Sequence, residues 1–473
     1  MNARHPGRFL LVSLGIASAL LLLVAGLLAD AGRARATTRP HLGYGFNVAG
    51  WDVSLIQAIG FDWIKVFDPP SSRLPLHVLI RLDAQAGDLD DVQAFGDGLA
   101  EVAASHGTFI EAYEIGNEVN LGAAYGWGAA PVAADYVTLL CEAYRQIKAN
   151  DPESVVVSAG LAPTGRISGT WEGHAGHDGT NQDEREWLKE FLAAGGAGCA
   201  DAVGYHPYGF SADYDAPPDV YSPEPDRNCV NGFCFRGVEK IRELLVEGGA
   251  EEKAIWATEF GWIVTPPEHC LDDPSFAGRL WQLVSEEKQA ANLVGAYEHA
   301  NTHWPWMGAM FVFNLNFNAA GWYAECDQIR YYAVQGRPAE DALRDGLVKE
   351  PVPAVLSVSP RQISVMVPVG AQPVSVTRTL LVRNEGWAPL LYTVTVSGEG
   401  LVSTAGPDQG SLLPLAEFSL PVIIASRERP AGVYTATVEV AAGAGALDAP
   451  VSVTVSLFLV EAYHTAHLPF LRR

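Results

Sequence analysis

The chain has 473 residues, too many for one ordinary domain, and sets 31 Lys and Arg against 55 Asp and Glu for a formal charge of -24. So acidic a chain, with no basic stripe, excludes nucleic acid as a partner, because phosphate binding needs clustered Lys and Arg. An uncharged or cationic partner fits the balance better.

Residues 1–36 open with three basic groups in "MNARHPGR" and continue in an unbroken apolar run from Phe9 to Ala29, long enough to span a bilayer. This predicts an export segment, either a signal peptide cleaved at one of the small-x-small sites Ala29 to Ala31 and Ala34 to Ala36 or a retained N-terminal membrane anchor. Export permits disulfides, and six cysteines suit it. Cys229 and Cys234 bracket a short Asn-Gly turn and are expected to close it.

From residue 40 to 347, short β-rich runs alternate with longer amphipathic stretches. Eight strands are predicted, at 44–50, 61–68, 77–83, 109–118, 154–160, 201–208, 254–262 and 308–316. Between them, segments such as "DYVTLLCEAYRQIKAN" and "EEKQAANLVGAYEHA" repeat apolar residues at helical steps. This α/β alternation predicts a (β/α)8 TIM barrel. Beyond "LVKEPVPAVL" the charged helices stop, and residues 353–460 alternate Val, Thr, Ser and Leu with polar residues between Gly and Pro turns. That pattern predicts a small all-β immunoglobulin-like sandwich of about seven strands, followed by a short tail at 461–473.

In such a barrel the side chains at the C-terminal ends of the strands face the site, while those lower down fill the lumen. The rule sorts the glutamates of "EAYEIGNEVN". Glu111 starts the fourth strand and reads as structural. Glu114 is expected to be a buried lumen charge paired with Lys65 or Arg81, since a buried carboxylate must be paired. Glu118 closes the strand at the rim, sharing a face with Glu114 and Gly116 by the period of two. The seventh strand, "AIWATEFGW", brings Glu259 to the same rim, nearly opposite Glu118. Two facing carboxylates are what glycosidic-bond hydrolysis requires. The sixth strand ends in "GYHPYG", which adds His206 and Tyr208, and Asn117 is placed to donate to a sugar hydroxyl. Cys270 and Cys326 follow neighbouring strands, so a bridge there would brace the loops of the site; Cys141 and Cys199 are the pair that remains.

Asn-Glu closing the fourth strand, His-x-Tyr the sixth and Glu the seventh resemble clan A retaining glycoside hydrolases, family 39 and then family 5. The resemblance covers about 300 residues. It implies Glu118 as general acid/base, Glu259 as nucleophile, and Asn117, His206 and Tyr208 as their supporting shell. Where the family pattern reads "WNEPN", Gly116 and Val119 replace Trp and Pro. Phe313 stands for the tryptophan that floors the first sugar site, and Lys65 for an arginine on the second strand.

Trp127, Trp171, Trp262 and Trp322 fall in segments expected on rim loops, where indoles could stack on sugars, and Trp262 is carried as a substrate-contact candidate. The loop with His174, His177 and Asp178 reads as a polar substrate loop rather than a metal site. No cofactor or metal is implied. The sequence thus points to an exported glycosidase acting on a poly- or oligosaccharide. The rival is a non-catalytic carbohydrate-binding or surface adhesion protein on the same barrel. A metal-dependent amidohydrolase would want His-x-His on the first strand, and a serine hydrolase Gly-x-Ser-x-Gly; neither is present. Sugar identity, linkage and oligomeric state stay open.

Overall fold

The structure is a computed structural model that describes residues 42–349, 354–386, 389–398, 400–413, 416–443 and 445–461. The expected export segment and nearly all of the expected tail lie outside the described residues. Among the described residues, no helix is long and apolar enough to cross a membrane. The chain divides into two compact units, Met1–Val348 and Lys349–Arg473.

In the first unit eight strands close into a barrel: β1 (Gly43–Asn47), β2 (Trp63–Val66), β3 (His77–Leu82), β4 (Ala112–Ile115), β5 (Val155–Ser158), β6 (Ala202–Tyr205), β7 (Ala254–Phe260) and β8 (Met307–Val312). Every neighbouring pair is parallel, including β1 with β8. Helices follow most of the strands: α1 (Val53–Ile59), α2 (Val92–His106), α3 (Ala133–Asn150), α4 (Glu184–Ala193), α5 (Val238–Glu247) and α6 (Glu286–His303). Ser285 caps α6 by accepting from the Lys288 amide, and Asp183 caps α4 through the amides of Arg185 and Glu186.

The lumen is layered by the period of two. Trp63, Leu79, Ala112, Val157, Ala202, Trp256, Ala309 and Phe311 form one apolar cluster, with Trp63 set edge-on to Trp256 at 5.2 Å. Two residues further along β2 and β4 the lumen turns polar, at Lys65 and Glu114, both with no solvent exposure. The apolar floor seals the barrel from below and leaves the charge above it facing the C-terminal ends of the strands.

The second unit is a β-sandwich. One sheet orders β9 (Leu356–Ser359), β11 (Ser375–Asn384), β15 (Glu417–Ala425) and β13 (Val402–Thr404); the other orders β10 (Gln362–Pro368), β17 (Val451–Val460), β16 (Gly432–Ala442), β12 (Leu390–Ser397) and β14 (Gln409–Leu412). Alternation is clean: Ile363, Val365 and Val367 are buried while their β10 neighbours are not. Among the described residues nine strands form where about seven are predicted, because the short β13 and β14 carry too few alternating residues to be read from sequence.

All three expected disulfides are present, Cys141–Cys199, Cys229–Cys234 and Cys270–Cys326.

Candidate active site

Glu118 reaches the barrel mouth by a route the period of two does not describe. Strand β4 stops at Ile115, not at residue 118, because Gly116 adopts φ +83°. A Cβ there would also lie 3.1 Å from the Val119 side chain, so glycine is the residue that fits. Glu118 itself sits at φ 42°, a left-handed conformation uncommon for a residue with a Cβ. Its amide donates to the Gly160 carbonyl at 2.9 Å, which ties the turn to the end of β5.

Glu259 arrives by a different irregularity. Along β7 and β8, Ala257 pairs with Met310 but Phe260 with Val312, so three steps on one strand oppose two on the other. This is a β-bulge at Thr258 and Glu259, a device that re-aims a side chain. The Thr258 carbonyl accepts from Asn47 Nδ2 at 3.0 Å and Lys65 Nζ at 3.2 Å. The Glu259 carboxylate meets Lys65 Nζ at 3.3 Å through one oxygen and accepts from the Tyr208 hydroxyl at 2.7 Å through the other. Burial pushes this carboxyl toward its neutral form, but the charges on His206 and Lys65 and the bond from Tyr208 outweigh that and hold its pKa below the usual range.

Lys65 also pairs with Glu114 at 2.7 Å. Of the two partners open for Glu114 it is therefore Lys65; the Arg81 Nε instead lies 3.0 Å from Asp83. Burial raises the Glu114 carboxyl, yet Lys65 and His206 bring it down to about 2. Glu111 accepts from the Val78 amide at 2.8 Å and pairs with Arg73, outside the mouth.

His206 joins the three carboxylates. Its Nδ1 lies 3.0 Å from Glu118 and 3.8 Å from Glu259, and its Nε2 3.8 Å from Glu114. The ring has room because residue 160 is glycine: a Cβ there would stand 2.1 Å from Nε2. Burial disfavours its charge, but Glu259, Glu114 and Glu118 raise its pKa to about 9. The raised value stabilises the fold fully below the ordinary 6.5, and the contribution is lost as pH rises through about 9. Urea unfolding followed by tryptophan emission is therefore expected to show the barrel losing about 3 kcal/mol between about pH 6 and about pH 10, a loss missing in His206→Asn. Equal pH slopes in the two proteins would contradict the charged imidazole.

One carboxylate oxygen each of Glu118 and Glu259 and a ring nitrogen of His206 lie within 4.8 Å of one another. These are donor types a metal ion could use, but the Lys65 ammonium on Glu259 puts positive charge beside the position such a cation would take. A second convergence, His269 with Cys270 and Cys326, has its sulfurs in a disulfide.

The other predicted residues divide. Asn117 is buried, its amide nitrogen donating to the Tyr125 carbonyl at 3.0 Å while its Oδ1 has no hydrogen-bond partner among the described residues. Phe313 is 9% exposed and packs edge-on against Tyr208 and Tyr332. Lys65 has no exposure, so it holds carboxylates and does not meet substrate. Trp262 is not a rim platform: it is fully buried, and its Nε1 donates to the Ala212 carbonyl at 2.7 Å. It underlies the chain after Tyr208, where a Cβ on Gly209 would fall 1.8 Å from the indole. Trp127 is likewise buried, whereas Trp322 is exposed. The His174 loop is locked internally: His177 accepts from the Gly179 amide and faces the Pro131 carbonyl, and His174 pairs with Glu190. Sequence reading missed the bulge, whose only signal is an Ala-Thr-Glu-Phe run that breaks alternation.

No protein-family model matches the chain, and no curated protein matches it in sequence. Among solved structures it is similar to a beta-glucuronidase 2 of Bacteroides uniformis at 11% identity and TM-score 0.40, covering 89% of this chain and 46% of that one. It is also similar to a family 128 (subgroup I) endo-beta-1,3-glucanase from Amycolatopsis mediterranei at 15% identity and TM-score 0.37, covering 62% of this chain and 98% of that one. A third is a beta-1,3-glucanase and allergen of Cryptomeria japonica pollen, at 17% identity and TM-score 0.40, covering 62% and 94%. The chain thus spans less than half the length of the first.

Proposed function

We propose that the chain is an exported retaining glycoside hydrolase that cleaves O-glycosidic bonds of an extracellular poly- or oligosaccharide with Glu118 and Glu259. The observation that carries this is the approach of the two carboxylates, with oxygens within 4.8 Å at the mouth of the barrel. Retaining enzymes hold their carboxyl groups about 5 to 5.5 Å apart, whereas inverting ones need about 6.5 to 9.5 Å to seat a water between them. The resemblance to clan A hydrolases of families 39 and 5 agrees with the same pair. The barrel is the catalytic domain and the sandwich an accessory domain; three disulfides accord with an oxidising, extracellular destination.

In the first step a Glu259 oxygen attacks the anomeric carbon, the bond to the leaving oxygen breaks, and Glu118 gives that oxygen its proton. A glycosyl ester on Glu259 results. In the second, Glu118 takes a proton from water as the water attacks the same carbon, and the Glu259 carboxylate is released. Lys65, His206 and the Tyr208 hydroxyl keep Glu259 ionised and aimed between attacks. Asn117 lies next to Glu118, and with its amide nitrogen on the Tyr125 carbonyl its Oδ1 is the atom left to accept from a sugar hydroxyl.

The test is hydrolysis of aryl glycosides with good and poor leaving groups. Glu118→Gln is expected to lose about 10² to 10⁴-fold in kcat on poor leaving groups, which need a proton, and far less in the first step on activated ones. Equal losses on both would sink the acid role. No hydrolysis by the intact protein across a broad glycoside panel would sink the enzyme reading.

A further inference from the structure

The loops that follow β5, β6 and β7 converge on one aromatic stack at the same end of the barrel as the glutamate pair. Trp281, on the loop after β7, lies parallel to Phe210, with 8° between planes and 5.5 Å between centroids. Phe233, inside the Cys229–Cys234 loop, sets its edge on Phe210 at 4.6 Å. Gly165, after β5, makes room for it, since a Cβ there would lie 2.5 Å from the Phe233 ring. The stack therefore rests on three separate loops of the same barrel end.

Three features set it apart from ordinary loop packing. Trp281 is 49% exposed although Phe210 stacks on its indole and Phe233 lies tilted against it at 5.5 Å. The indole is also fixed, because Nε1 donates to the Gly278 carbonyl at 2.9 Å and its loop is tied to the next by Cys270–Cys326. Finally, Phe210 adopts φ 54°, a left-handed conformation that disfavours a residue with a Cβ. Strain of this kind persists only where the surroundings impose it, and it clusters at binding sites. A rigid, half-exposed indole offers apolar area at low entropic cost.

Its place fixes what would lie on it. Phe210 is two residues beyond Tyr208, whose hydroxyl bonds Glu259, so the two Cα atoms are at most about 7 Å apart. The indole lies one stacking distance, 5.5 Å between centroids, from Phe210. A glycan whose scissile bond sits at Glu259 and that extends along this side of the mouth would bring a further sugar to Trp281. We infer that Trp281, backed by Phe210, is a platform for a sugar ring of the substrate away from the cleaved bond, so that the preferred substrate is a chain and not a single glycoside. This rests on the glycosidase reading above and specifies its substrate by length.

The experiment separates the two. Binding of manno-, xylo-, gluco- and galacto-oligosaccharides from disaccharide to hexasaccharide is measured calorimetrically on the full chain and on Trp281→Ala and Trp281→Phe, and kcat/KM is measured on the same series. The intact protein is expected to gain affinity and kcat/KM with length. Trp281→Ala should lower the ratio of the longest to the shortest substrate about 10-fold, with partial recovery in Trp281→Phe, which keeps a ring; that ratio is one a general loss of structure would not move selectively. Equal loss at every length, no loss, or no binding by the intact protein overturns the platform. Length-dependent binding through Trp281 without hydrolysis supports the platform and overturns only the catalytic reading.

Discussion

Replacing Glu259 with Gln is expected to lower kcat on the order of 10⁴-fold or more, a barrier increase of about 5 to 6 kcal/mol, while leaving the circular dichroism of the fold in place. The amide keeps the size of the carboxyl and can still meet Tyr208, but it is a poor nucleophile, so no glycosyl ester forms. Lys65 keeps Glu114 at 2.7 Å, so the ammonium is not stranded. The check that isolates the role is added azide. In Glu259→Ala, which vacates that space, a small anion placed where the carboxylate stood should restore turnover and give a glycosyl azide of inverted configuration. The same addition to Glu118→Ala should give the retained product. A Glu259→Gln enzyme as fast as the parent would end the assignment.

The second large effect belongs to Lys65→Met. Lys65 has no exposure and bridges two carboxylates that are themselves buried, Glu114 and Glu259. Removing it leaves both without their nearest positive charge, and breaking a buried pair from one side costs about 3 to 5 kcal/mol. The urea midpoint of the barrel should fall accordingly. Because Lys65 is among the groups that hold the Glu259 pKa down, the acidic limb of the kcat/KM profile should also move to higher pH. The sign follows from the role: an attacking carboxylate must be ionised, so a higher pKa removes activity from the acid side first. An unchanged midpoint together with an unchanged acidic limb would show that Lys65 is not what holds the two carboxylates.

Much of the barrel could be read from the chain because its strands are buried on both faces and appear as compact apolar runs between amphipathic stretches. The buried, paired Glu114 could be read too, since a strand advances one layer for every two residues. What could not be read is where that counting stops. Gly116 and Glu118 turn left-handed after β4, and a bulge at Thr258 and Glu259 breaks the alternation on β7, so both glutamates arrive at the mouth by departures from strand geometry. Composition misled at Trp262, which follows Glu259 on a loop as a rim indole should, but is claimed by the Ala212 carbonyl and covered by Gly209. Trp281 gave the opposite lesson. Nothing in "GRLWQL" marks it, and only the meeting of three loops does. The sandwich was legible in kind and short in count, its smallest strands being set by pairing with their neighbours more than by their own residues.

The left-handed backbone at Glu118 has a consequence for how this position can change over time. Most residues are selected for both keeping the fold and keeping the activity, and the two pressures agree. At 118 they diverge: φ 42° suits Gly or Asn, either of which would relax the backbone, while the reaction proposed here accepts only a group that can give and take a proton. Were that proposed reaction no longer required, residue 118 would be free to drift toward Gly or Asn, gaining stability as it did so. Residue 118, like Phe210 at φ 54°, is therefore a place in this barrel where the relaxation of a functional demand would leave a trace.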